Sequence, residues 1–218
     1  MIKIFKTTDS GVLQISEFED NSWISMTNPT TEELFSVSST YKIAPDDLRA
    51  SLDEEERSRI EIEEYYSLIL VDIPTIEERN GKDWYGTIPL AIIICDKVIV
   101  TVCLEDSPVL TAFMDGRVRN FYTHMKTRFI FQILYRNATL YLNYLRIIDR
   151  RSDAIEQKLH EATKNRELIE LLELEKSLVF FTTSLKSNEV VLEKLLKSTA
   201  IKKYPEDEDL IEDVIVEN

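Results

Sequence analysis

Two acidic clusters are the residues best placed to do chemistry. APDDLRASLDEEE sets Asp46, Asp47, Asp53, Glu54, Glu55 and Glu56 along one short segment. PEDEDLIEDVIVE carries Glu206, Asp207, Glu208, Asp209, Glu212, Asp213 and Glu217 without a Lys or Arg among them. On a helix Asp209, Glu212 and Asp213 share a face, and like charges at i and i+4 are mildly destabilising, so Asp209 and Asp213 need solvent, a cation or a basic neighbour. Two readings fit. One is a solvated helical face that adds solubility. The other is a divalent-cation site, because Mg²⁺ and Ca²⁺ are hard ions that take carboxylate oxygens. Mg²⁺ also keeps much of its water, so one or two carboxylates from each side of an interface suffice. Such a site has no fixed spacing, unlike an EF-hand loop, whose glycine and terminal glutamate are missing here.

Other chemistries lack their residues. There is no glycine-rich phosphate loop, no HExxH, no GxSxG and no CxxC pair, and His124 and His160 stand alone within helical patterns, so no enzyme is expected. The net charge of −14 argues against nucleic acid as a partner, since that binding needs clustered Lys and Arg to release counterions. Cys95 and Cys103 lie in the apolar run IIICDKVIVTVC. A turn at Asp96 and Lys97 would set Cys95 opposite Val98 rather than Cys103, so no disulfide is expected and a reducing, cytosolic setting is read. MIKIFKTTDSG lacks the apolar core of a secretory signal, and no run of about 18 apolar residues exists to span a bilayer.

The elements that must position these acids read as follows. Strand patterns MIKIFK, VLQISEF and SWISMT come first, then a helix opening at Thr30 or Thr31 and a short one from Pro45 through Leu48 and Leu52. Two long β patterns follow, IEIEEYYSLILVDIPTIEE and YGTIPLAIIICDKVIVTVCLED; the second is a hairpin apolar on both faces, which predicts helices covering both sides of a sheet. VLTAFMDGRVRNFYTH predicts a helix despite Gly116. From Arg128 to about His160 apolar residues recur at three-or-four spacing, too long for a compact core.

The partner helix shows a heptad seam of Leu171, Leu174, Leu178, Phe181, Leu185, Asn188, Leu192 and Leu195. Asn188 is its one polar position, expected to set register. The two long helices are expected to pair antiparallel with a turn near Ala162 to Asn165. The next break falls at Lys202 to Glu208, with Pro205. DEDLIEDVIVEN then follows a helical pattern with no glycine, proline or basic last turn, as the beginning of a longer helix would.

The expected fold is α+β: a layered α/β/α sandwich with a mixed sheet over residues 1–125, a long antiparallel helical hairpin arm over 126–203, and the start of a stalk helix over 204–218.

The order of these pieces resembles the cytoplasmic part of the CorA-type magnesium transport proteins. The resemblance rests on WISMTNPTTEEL with Trp23, Ile24, Pro29 and Glu33, on APDDLRASLDEEERSRIEIEEYY, on IPLAIIICDKVIVTV, on the long helix ending IIDRRSDAIEQKL, on the heptad helix and on LIEDVIVEN. It implies a homopentamer in the cell membrane, with this part in the cytoplasm and further C-terminal helices, absent here, in the bilayer. It also implies Mg²⁺ bound between neighbouring subunits, as a sensor that holds the pore shut. Carried onto this sequence, the short helix would offer Asp53 with Asp46 or Asp47, and the stalk helix Glu212 or Asp213 beside Asp209. The sequence departs from the family in having Ala50 where an acid is often found. The Gly-Met-Asn signature is also absent: Met114 stands in FMDG and Met125 in HMKT. A zinc or other divalent-cation transporter of the same superfamily is the alternative, and a soluble cytosolic adaptor with a helical interaction arm is the alternative of a different class.

Overall fold

The computed structural model describes residues 1–79, 81–161, 165–198 and 204–217. The chain opens with β1 (Ile2–Thr8), β2 (Gly11–Ile15) and β3 (Trp23–Thr27), followed by α1 (Thr31–Tyr41) and α2 (Pro45–Arg49), which runs on as a 3₁₀ turn over Ala50–Leu52. Strands β4 (Arg59–Ile62), β5 (Tyr66–Arg79), β6 (Lys82–Cys95) and β7 (Ile99–Cys103) come next. Then come α3 (Pro108–Met114), α4 (Lys126–Glu161), α5 (Asn165–Lys197) and α6 (Glu208–Glu217), the last entered through a 3₁₀ turn at Pro205–Asp207.

The strands form one seven-stranded sheet in the order β2-β1-β3-β7-β6-β5-β4. β3 and β7 run parallel and every other pair is antiparallel. Both faces are covered, as the doubly apolar strands predict. On one face Trp23, Val71, Leu90, Ile92 and Ile99 pack with residues of α3, α4, α5 and α6. On the other, Ile24, Met26, Leu70, Ile93 and Val100 pack with Leu34, Val37 and Leu48 of α1 and α2. Trp23 is fully buried; its ring meets Phe5, Phe113, Phe121 and Phe129 and its Nε1–H donates to Thr101 Oγ1 at 2.9 Å.

Local chemistry fixes the element ends. Thr30 Oγ1 accepts the Glu33 N–H at 3.2 Å while Glu33 Oε2 accepts the Thr30 N–H at 2.9 Å, a reciprocal cap that starts α1. The β6–β7 turn falls at Asp96 and Lys97, with the Cys95 N–H donating to Val98 O at 3.0 Å. Cys95 and Cys103 are buried free thiols on opposite faces of the sheet, both pushed up to about 11 by burial.

Several expectations are corrected. The first long β pattern divides into β4 and β5 around a turn at Glu63 to Tyr65, and β2 stops at Ile15. The helix predicted across VLTAFMDGRVRNFYTH ends at Met114. Gly116, at φ 66°, donates to Phe113 O at 3.1 Å, and Arg117 donates to Ala112 O at 2.9 Å, which closes the helix with its glycine rather than continuing through it. The buried seam of α5 is Leu174, Ser177, Phe181, Ser184, Asn188, Val191, Leu192 and Leu195, whereas Leu178 is 40 % exposed. The seam shifts because α5 lies largely on strands, and small serines admit that approach: Ser184 Oγ stands 3.2 Å from Thr87 Oγ1. The predicted turn between α4 and α5 and the break after α5 lie in part outside the described residues.

The outer halves of α4 and α5 share a separate cluster of Tyr85, Tyr141, Ile148, Ile155, Leu174 and Phe181. Tyr85 belongs to β6, so the far end of the β5–β6 hairpin braces the helical pair. Trp84 adds to the brace, with its ring 5.7 Å from that of Phe180, edge to face, and the Arg79 guanidinium 3.6 Å from its centroid. Lys82 pairs with Glu170.

Candidate metal site

Pro45 presets the first turn of α2, and the segment carries its acids outward over the face covered by α1 and α2. Asp46 is 98 % exposed at its side chain, with Arg49 at 3.8 Å. Asp47 accepts a short hydrogen bond from the Tyr66 hydroxyl, whose oxygen also accepts the Ala44 N–H at 3.2 Å. Burial first, and then the Asp47 carboxylate, push the Tyr66 phenol up to about 12. Asp53 Oδ1 accepts the Glu55 N–H at 3.0 Å, closing the turn after the 3₁₀ segment, and the residue is exposed. Asp47 therefore has a structural duty, while Asp46 and Asp53 are the accessible carboxylates. Ala50 is buried under this segment.

Asp209, Glu212 and Asp213 are exposed on α6. The opposite stripe of that helix packs on the core: Val214 is buried, and Leu210 and Ile211 lie against the same cluster. The helix is pinned at its entrance by Arg128 of α4, whose Nε donates to Asp207 Oδ1 at 2.5 Å with the two side chains 14 % and 3 % exposed. Asp207 belonged to the acidic run in the sequence, and nothing in the run marks it as the buried member.

The six predicted acids thus fall into two groups that the chain does not bring together. Asp46, Asp47 and Asp53 lie on the α1–α2 face of the sheet, and Asp209, Glu212 and Asp213 on the helix that packs against the other face. Among the described residues no group of three or more His, Cys, Asp or Glu side chains is arranged to hold a metal ion.

The sequence matches the family described as "CorA-like Mg2+ transporter protein" over residues 18–218. This chain belongs to the CorA-like family. It is 30 % identical over 201 residues to the cobalt/magnesium transport protein CorA of Methanocaldococcus jannaschii, a match covering 88 % of this chain and 60 % of that relative. The chain therefore spans less than two thirds of the relative's length. The soluble domain of the same organism's CorA superposes with a TM-score of 0.84 at 25 % identity, covering all of this chain (100 %) and 87 % of that one. The cytoplasmic domain of ZntB from Vibrio parahaemolyticus shares the fold at a TM-score of 0.68 and 10 % identity, covering 99 % and 92 % of the two chains. Among the described residues of this CorA-family chain, no helix is long and apolar enough to cross a membrane.

Proposed function

We propose that this chain is the cytoplasmic, ion-sensing part of a CorA-like divalent-metal transporter that works as a homo-oligomer, pentameric in the full-length protein, with Mg²⁺ as both cargo and regulator. The observation that carries the reading is the separation of the acids. Asp46 and Asp53 on one face and Glu212, Asp213 and Asp209 on the other cannot share an ion within one chain, yet both groups are exposed and project outward, so two neighbouring copies can share one. Bare acidic faces repel; a hydrated divalent ion between them offsets that repulsion, and its loss frees the copies to move apart. In this reading residues 1–125 form the sensing body, 126–203 the arm and 204–218 the beginning of a stalk that leads to membrane segments. Carboxylates without His or Cys suit a hard ion, which favours Mg²⁺ over zinc at this site.

The test is thermal unfolding and sedimentation of the chain across a MgCl₂ titration. Ligand binding to the folded state raises Tm with concentration, by about 2.7 kcal/mol of stability at a hundredfold excess over Kd. The increase, and any Mg²⁺-dependent association, should vanish in the Asp53→Ala/Glu212→Ala/Asp213→Ala chain. Unchanged Mg²⁺ dependence in that variant would remove these residues from the site.

A further inference from the structure

Four polar side chains line one cavity, and the fold uses none of them. The cavity, of about 490 Å³, lies between the β1–β2 turn and the segment that joins α3 to α4. Asp9, Asn120, Tyr122 and His124 line it. Among the described residues none of these four side chains makes a hydrogen bond or an ion pair. His124, set by the sequence in a helical pattern, stands instead in the turn before α4.

The walls are fixed by contacts of their own. The Thr7 N–H donates to Thr123 Oγ1 at 3.2 Å and the Thr123 N–H donates to Thr7 Oγ1 at 2.9 Å, a reciprocal link between the two segments. Phe121 lines the cavity from the core side; it is buried, with its ring 5.0 Å from that of Phe113 and 4.6 Å from that of Phe129. Val12 and Val118, also in the lining, pack against the same core cluster. Small-molecule sites are largely preformed spaces of roughly 300–1,000 Å³ with apolar walls and a few polar groups, and this cavity meets that description.

The lining limits the ligand. No Lys or Arg is among the described residues that line it, so an anion would find no counter-charge and would meet Asp9. Asp9 and His124 are its only His, Cys, Asp or Glu side chains, and among the described residues no group of three such side chains is arranged to hold a metal ion. What the cavity does combine is a carboxylate with aromatic rings. The Tyr122 and His124 rings are 5.5 Å apart and inclined at 45°, so they are not a closed stack. A cation over a tyrosine or phenylalanine face is attracted by the ring quadrupole, and ammonium groups carrying methyl groups are recognised in this way. Asp9 supplies the opposite charge, Val12 and Val118 suit the attached carbons, and Asn120 and His124 can bond a neighbouring hydroxyl. The net charge of −14 also draws cations toward the chain.

We propose that this cavity binds a small organic ammonium compound, with its cationic group held between Asp9 and the Tyr122 ring. The proposal goes beyond the metal reading above and does not draw on the acids of α2 or α6.

The experiment is a titration in which choline replaces sodium at constant ionic strength, without divalent ions, followed on the NMR resonances of the His124 imidazole and the Asn120 carboxamide. Saturable shifts are expected. Asp9→Asn, which keeps the shape of an exposed turn residue, and Tyr122→Ala should each weaken binding by about threefold or more with Tm unchanged. Asp9→Glu, which keeps the charge, should retain most of it. Shifts that never saturate would overturn the proposal, as would variants that bind choline like the unaltered chain. Three further outcomes would overturn it by naming another occupant. Adenosine binding where choline does not would make the site one for neutral heterocycles. MgCl₂ producing the same saturable shifts would make Asp9 a plain cation contact. Shifts that grow with chain concentration in the absence of choline would assign the cavity to a lysine of a second copy. Loss of Mg²⁺ dependence in the α6 variants with choline binding intact would leave the proposal standing, so the two readings fail separately.

Discussion

Asn188 of α5 pairs with the backbone of Asp72 as a neighbouring strand would. Its Oδ1 accepts the Asp72 N–H at 2.8 Å and its Nδ2 donates to the Asp72 carbonyl at 2.8 Å. The pairing falls just beyond the point where β4 stops accompanying β5, at the pair of Arg59 with Leu70. Across the sheet Asp72 faces Pro89, which has no N–H to offer. One amide thus completes the edge of the sheet and docks α5 on it; Asn137 and Tyr141 of α4 reach the same carbonyl at 2.8 and 3.2 Å.

Asn188→Leu separates this role from that of a polar residue in a heptad seam. In a seam, leucine would add apolar burial and stabilise. Here it leaves the Asp72 N–H without its partner at a buried junction, and a cost of about 1–3 kcal/mol is expected. Urea unfolding measures it, with a lowered midpoint at unchanged slope.

The Asp72 carboxyl stands at the same junction. Burial raises its pKa above the ordinary carboxylate range, against the opposing hydrogen bonds of Ser184 and Ser58. The folded state then holds its proton to higher pH than the unfolded chain does, so this group favours folding below the unfolded pKa and that contribution is lost as pH rises through the folded value. Asp72→Asn removes the titration. Its Tm should therefore gain on that of the unaltered chain as pH increases from about 4 to 7; a constant difference over that span would contradict the assignment.

Arg128 and Asp207 form the buried anchor of α6. Removing one partner from such a pair typically costs about 3–5 kcal/mol, because the other charge is left unpaired. Arg128→Met should approach that loss, and hydrogen exchange should show α6 opening first, since Val214 and its neighbours lose the tether that seats them. Replacing both, as Arg128→Met/Asp207→Leu, should recover much of the stability. A double variant no better than the worse single one would show that the charges support more than each other.

The layered sheet was legible because its determinants are local. Alternation, the Thr30 and Glu33 cap and the Asp96-Lys97 turn each act within a few residues. The acidic clusters were legible as composition, and the exposure of Asp46, Asp53, Asp209, Glu212 and Asp213 agrees with it. What stayed hidden depends on distant partners. Asp207 is one acid among many until Arg128 meets it. Asn188 looks like a seam residue because its partner is a backbone group, which carries no side-chain signature. Ser177 and Ser184 displaced the predicted leucine seam because the surface beneath α5 is a sheet, which a heptad count does not consider. Gly116 carries a helix stop that the sequence masks, since its neighbours keep the apolar spacing.

The brace at the end of the β5–β6 hairpin yields the last prediction. Trp84 touches both the Arg79 guanidinium and the Phe180 ring, and a Cβ built on Gly86 would come within 2.4 Å of the Trp84 ring. Gly86→Ala must therefore shift that ring, and Trp84→Ala removes it. Both changes act on the outer cluster of Tyr85, Tyr141, Ile148 and Phe181, which is separate from the two clusters flanking the sheet. Hydrogen exchange in the outer halves of α4 and α5 should accelerate while the sheet strands keep their protection, as expected for a unit that opens below the global free energy. Equal acceleration in β6 and β7 would mean that arm and sheet unfold as one unit, and that the ribbon is part of the core rather than a support for the helices.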